Sequence, residues 1–407
     1  MLAKILGKFL LVLAALVVAM AMAGCSTRGC SSATPGSAGG SSAGSSGGAT
    51  QSTGSCTLGG GNPTATGSPA AFAYYENQGT IGATMVDTSG NFGQLVGFAN
   101  PPSSLQALGV MVVAQTKWLY QVVGLQIQGY SIDGATGALT DITGSPFGLS
   151  GTEVASLATD SAGKFLFVCA ANNDQVEVFS IDQASGALAP VGTFATAGFA
   201  AQATTDGLGK YLYVTAGNLG GTVDVYTIGS TGLLTPIAGS PFFISIATLR
   251  SEPTGTFLVG VTGNGANNGV GTDNHVYVFS IDQSSGAPSQ VSGSPFATTF
   301  IPADVAVHPN GTLVYTFNGT VSGTSPVEGF QLDTSSGQLT ALAGSPFLGM
   351  VATAGMFDQS GAFLFLHPSD AIEVAAVDPT TGILTSIGSP VTGVGSSTEA
   401  WAVTDPH

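Results

Sequence analysis

The chain has 407 residues, with 7 Lys or Arg against 23 Asp or Glu, a formal net charge of −16. All the acids lie at or after Glu76, where only Lys117, Lys164, Lys210 and Arg250 are cationic, so that part carries −19. Binding nucleic acid requires clustered Lys and Arg to neutralise phosphates, and this pattern excludes it.

The first 24 residues are expected to be an export signal. Lys4 and Lys8 form a basic start, and residues 9–23 form an apolar stretch too short to span a bilayer comfortably. Met22-Ala23-Gly24-Cys25 follows and resembles a bacterial lipobox, which implies lipidation at Cys25. Cleavage as an ordinary signal peptide near Ala23 is the other reading. Ser26 after the cysteine, rather than Asp, points to the outer membrane in such lipoproteins. Residues 25–70 are rich in Gly, Ser, Ala and Thr and read as a flexible tether, with Cys30 and Cys56 able to pair in an oxidising compartment. Membrane contact is expected through the lipid alone.

From residue 71 to 407 one unit repeats seven times. Its marker glycine falls at Gly90, Gly137, Gly186, Gly232, Gly286, Gly337 and Gly382. A period of 45–54 residues, filled with short β-branched and aromatic runs between Gly-rich turns, predicts an all-β, seven-bladed β-propeller. Each blade is expected to be four antiparallel strands. In blade three these are 154–158, 165–169, 176–181 and 187–191. The chain begins at a second strand, Ala71–Tyr75, and finishes with a first strand, Glu399–Asp405. The two are expected to share one sheet and close a monomeric ring.

The units resemble the lactonase-type seven-bladed propellers, the family of the bacterial propeller 6-phosphogluconolactonases. The residues that carry the resemblance are 276–282 with Ser285-Gly286, the Gly-Ser-Pro-Phe blocks at 144–147, 239–242, 293–296 and 344–347, and His308-Pro309-Asn310-Gly311. The resemblance implies Arg and His side chains on the face where first strands begin. There a Pro-Arg-His cluster is expected, but this chain reads Ile301-Pro302-Ala303-Asp304, so catalytic residues do not carry over.

A phosphorylated lactone calls for an Arg or Lys fork. Lys117, Lys164 and Lys210 precede second strands, on the opposite face. His275 and His367, expected in loops between second and third strands, and Arg250 are the catalytic candidates, and His308 is expected to be structural. Ligand-binding candidates on second-to-third-strand loops are Glu76, Asn172, Asp174, Asp273 and Asp370. Those between blades are Gln106, Glu153, Gln202, Asp304 and Glu399. Polar loops also form simply because they face water. No cofactor or metal site is expected. Blade five carries about eight extra residues near 263–275, enough to vary a binding surface. The resulting expectation is a binding or scaffold module for a small molecule, glycan or protein. The alternative is a hydrolase or isomerase acting on an unphosphorylated lactone or related small acid.

Overall fold

Among the described residues seven separate sheets follow one another along the chain, antiparallel except for one two-residue strand added to the first. This computed structural model describes residues 63–77, 80–95, 110–216, 221–263, 273–318, 326–368, 370–394 and 401–407. Cys25, Gln106, Glu399, the Cys30–Cys56 pair and most of the blade-five insertion lie outside the described residues. The described helical structure is one 3-10 turn, Ala171–Asn173.

Blade three shows the pattern: Val154–Thr159, Phe165–Ala170, Gln175–Ile181 and Leu188–Ala195, hydrogen-bonded in that order. Its second strand is buried throughout, as the run Phe-Leu-Phe-Val-Cys-Ala dictates. One face of that strand packs on blade two, where Leu166 and Val168 meet Trp118, Tyr120 and Ile127. The other packs on blade four, where Phe165 and Phe167 meet Leu212 and Val214. The core is thus a set of interfaces between blades. Each buried Phe or Leu contributes roughly 1.5–3 kcal/mol.

First strands Met111–Ala114, Val154–Thr159, Ala200–Thr205, Thr248–Ser251, Pro302–Val307, Ala354–Phe357 and Trp401–Thr404 touch one another in a closed circle. They therefore line the axis. The last of them pairs with Pro69–Asn77, in the register Phe72↔Thr404 to Tyr75↔Trp401, so blade one joins both ends of the described chain. The folded region also starts before residue 71. Thr64–Ala65 lies parallel to the outer strand Phe92–Leu95 of blade one. A side chain at Gly93 would sit 2.6 Å from the Pro63 carbonyl oxygen, so this added strand needs a glycine beneath it.

The marker glycines after Gly90 have two duties. In blade three the Asp182 carboxylate accepts the N–H groups of Ala184 and Ser185 and the Ser185 hydroxyl, which shapes the turn. Gly186 then takes φ +72°, which favours glycine. A Cβ on Gly186 would also lie 2.6 Å from the Trp118 ring in blade two. Across the same gap Tyr120 donates its hydroxyl to the Gly186 carbonyl at 2.7 Å. Tyr74, Tyr213 and Tyr315 do the same to Gly137, Gly286 and Gly382.

The Gly-Ser-Pro-Phe blocks interrupt fourth strands. In blade two the fourth strand pairs only over Leu139–Asp141, the chain leaves through Gly144-Ser145-Pro146, and Phe147 returns to pair with Ile127. The Ser145–Pro146 bond is cis, as are its three counterparts. The Ser145 hydroxyl accepts the Gly129 N–H at 2.8 Å, supplying an acceptor that the interrupted strand does not. Ser240, Ser294 and Ser345 serve Val225, Val278 and Gly329 likewise. Blades three and seven lack the block, and their fourth strands run through Leu188–Ala195 and Leu384–Thr392, with Pro190 and Pro390 inside them.

Candidate functional site

The first strands bring polar side chains together around the axis. Ser156, Gln202, Thr248 and Asp304 hold the same register position in blades three to six. All four reach one blade onward, Thr248 by donating its hydroxyl to the Ala303 carbonyl at 3.4 Å. The Ser156 hydroxyl accepts the Ala203 N–H at 3.3 Å, and Gln202 Oε1 accepts the Leu249 N–H at 2.8 Å. Asp304 takes the Gly355 N–H of blade seven and, at 2.8 Å, the N–H of Val305. This belt ties neighbouring blades around the axis.

Arg250 and Asp304 form an ion pair within the belt, with Nη2 to Oδ1 at 3.2 Å. Burial pushes the Asp304 carboxyl up, against the pull of Arg250 and of the two backbone N–H groups. The Arg250 side chain keeps 32% of its exposure. Its Nη1 donates to the Leu249 carbonyl at 3.3 Å, and among the described residues several of its five N–H groups have no acceptor. Expected as inter-blade loop residues, Gln202 and Asp304 are in fact inside first strands.

The other candidates are scattered. Glu153 sits at φ +58° in the loop before blade three, and Asn172 donates its amide to the Glu153 carboxylate. Asp174 ends the adjacent 3-10 turn in the left-handed region and uses its carbonyl to accept the Thr196 N–H. Glu76 is half-buried within the second strand of blade one. Asp370 uses its carbonyl to hold Gly393 and Val394. Asp273 accepts the Tyr277 hydroxyl at 2.6 Å and the Thr262 hydroxyl at 3.2 Å, and His275 Nδ1 lies 3.9 Å away. Burial, then Asp273, pushes Tyr277 up to about 12. Among the described residues no group of three or more His, Cys, Asp or Glu side chains is placed to hold a metal ion.

Residues 111–244, spanning blades two to four, match the family model "Lactonase, 7-bladed beta-propeller". The chain carries a lactonase-like propeller fold. Among solved structures it is similar to a protein provisionally named a 6-phosphogluconolactonase from Bacteroides uniformis. That pair has 16% identity and a TM-score of 0.64, over 81% of this chain and 97% of the other. It is also similar to the periplasmic gluconolactonase of Pseudomonas aeruginosa, with 17% identity and a TM-score of 0.61, over 80% and 97%. A protein from Lactobacillus plantarum matches at 16% identity and a TM-score of 0.59, over 82% and 98%. No curated protein sequence matches the chain.

Two histidines of this lactonase-like propeller are built into its frame. His308 is buried: its Nε2 bonds the Gly361 carbonyl at 2.9 Å, its Nδ1 accepts the Asn310 N–H, and burial pushes its pKa down. His367, expected in a loop, is the last residue of the second strand of blade seven. It is buried with its ring 5.7 Å from that of Trp401. The lysines stand where the spacing placed them. The N–H groups of Lys164 and Lys210 bond Asp160 and Asp206 in first-to-second-strand turns.

The residues missed in sequence are buried acids of third strands. Glu177 takes the N–H groups of Ser150 and Gly151, Asp224 that of Ala197, and Glu328 that of Thr299. The signal was an acid inside each apolar run, as in Val176-Glu177-Val178 and Val223-Asp224-Val225. Alternation alone assigns such a residue to solvent.

Proposed function

We propose that this lactonase-like propeller is an extracytoplasmic binding module, held at the outer membrane by lipid on Cys25. Its axial face takes a neutral, oxygen-rich small molecule, of the class of unphosphorylated sugars and lactones. The observation that carries this reading is the Arg250–Asp304 pair. Asp304 balances the charge of Arg250 while leaving part of the guanidinium open. The face therefore offers directional N–H donors with no net positive charge. Neutral carbonyl, ring and hydroxyl oxygens match it, and a phosphate dianion does not.

A second reading has one observation in its favour. The Asp273 carboxylate is fixed by two hydroxyls and lies beside His275. An imidazole backed by a carboxylate can serve as a general base for opening a lactone.

The test is calorimetry on the full-length protein in detergent with a panel of neutral sugars, lactones and their acids. Binding of a neutral compound, weakened by Arg250→Gln, supports the module. Turnover of a lactone, abolished by His275→Gln, favours the hydrolase. Binding that ignores Arg250→Gln sinks the axial site. The anchor is tested separately by acyl labelling: wild type should carry label, and Cys25→Ser should not. A mature N-terminus elsewhere refutes it.

A further inference from the structure

The third strands of blades three, four, six and seven carry an acid at one shared register. Glu177, Asp224, Glu328 and Glu373 lie opposite Val168, Val214, Thr316 and Leu366 of their second strands. The first three are buried, and each accepts the N–H of the residue three after a phenylalanine paired with the third strand of the preceding blade: Ser150 after Phe147, Ala197 after Phe194, Thr299 after Phe296. The corresponding residue before blade seven is Met350, after Phe347. There the chain bulges. Val327 pairs with Phe347 and Pro326 with Val351, so residues 348–350 are extra. Gly349 takes φ +95°, and Leu348 is thrown outward, 85% exposed.

Glu373 is consequently different from its sisters. It is half-buried, and among the described residues no donor lies within hydrogen-bond distance of its carboxylate. An open notch of about 230 Å³ stands over it, lined by Gly349, Ser386, Ile387, Gly388 and Pro390. Burial alone acts on the carboxyl and pushes it up.

We propose that this notch binds a small primary ammonium ion, with Glu373 as its counter-charge. The sister carboxylates are each satisfied by N–H donors from a loop. An ammonium group supplies up to three N–H donors and the balancing charge at once. Ile387 and Pro390 offer carbon surface to a short alkyl tail. The −19 charge of residues 76–407 concentrates cations around the ring. A calcium ion is a poorer fit, because it wants six to eight oxygens and the notch has one carboxylate.

The probe is n-propylammonium, followed by saturation-transfer NMR on the full-length protein. The controls are n-propanol, tetramethylammonium and Ca²⁺. Saturable propylammonium binding is expected, with none of the controls competing. Glu373→Gln removes the charge, and Ser386→Trp fills the notch while keeping the carboxylate. Each should weaken binding at least about tenfold, Glu373→Gln by losing a charge-assisted hydrogen bond and Ser386→Trp by excluding the ion. Retained binding in either variant overturns the proposal, as does equal binding of tetramethylammonium, which has no N–H to donate. Ser386 is exposed, so its variant keeps the test decisive should Glu373→Gln fail to fold.

Discussion

Replacing Trp401 by alanine tests how the ring is closed. Trp401 is 1% exposed and packs with Ala71, Tyr75, Phe365 and Ile372, residues from both blades that meet at the seam. Truncating a buried Trp to Ala removes about 3–5 kcal/mol, against a typical domain stability of roughly 5–15 kcal/mol. At ~2.1 cal/mol/K per residue, a domain of about 345 residues unfolds with an entropy near 0.7 kcal/mol/K. The expected fall in melting temperature is therefore about 4–7 °C. Differential scanning calorimetry should be run beside Leu348→Ser, whose side chain faces water and should leave the melting temperature unchanged. Deleting residues 399–407 is the extreme case, since it strips the partner from Phe72–Tyr75, and no folded monomer is expected. A Trp401→Ala protein that melts with the wild type would refute the seam as the point where closure is secured.

Ser240→Ala should cost about 1–3 kcal/mol in urea unfolding, because it orphans the buried Val225 N–H, whereas Ser240→Thr should retain most of the stability. Asp282 has its carboxyl pulled down to about 2 by the hydroxyls and N–H groups of Ser284 and Ser285. A depressed carboxyl stabilises the fold above its unfolded value near 4, and that contribution disappears as pH falls through about 2. Acid titration of Asp282→Asn should accordingly lose pH dependence in that window; an unchanged curve would mean that the turn does not hold the anion. Hydrolysis of 6-phosphogluconolactone by the full-length protein should not exceed the spontaneous rate, since Asp304 already balances Arg250. Turnover lost on Arg250→Gln would reverse that reading.

Strand order and phase were legible because each blade repeats the same punctuation. An Asp-x-x-Ser/Thr-Gly turn such as 182–186 marks the third-to-fourth hairpin. A Gly-Lys-aromatic step such as 163–165 marks the second strand. What lies between blades was not legible. Gly186 reads as a turn glycine, and nothing local reveals that the Trp118 ring fills the space where a Cβ would stand. Arg250 and Asp304 are 54 residues apart and meet only because first strands of adjacent blades run side by side. Strand alternation cannot reveal that a loop folds back over Glu177 and gives its carboxylate two N–H donors. His367 was assigned to a loop because its strand extends past the run Phe363–Leu366. The Gly-Ser-Pro-Phe blocks were visible as a family mark, but their role depends on a hydroxyl meeting a backbone N–H sixteen residues earlier.

The outer strands have a consequence for life at high density. A sheet edge with free N–H and C=O groups is a template for another chain. Here the edge of blade one is occupied by Thr64–Ala65. Those of blades two, four, five and six end after three residues, and those of blades three and seven contain Pro190 and Pro390. Only 7% of the residues are charged, so repulsion between scattered like charges is a weak guard against association. Backbone geometry takes that part instead, and it does not weaken with salt or with protonation of carboxylates. Many copies crowded together would present one another with short or proline-interrupted rims, poor templates for extending a sheet.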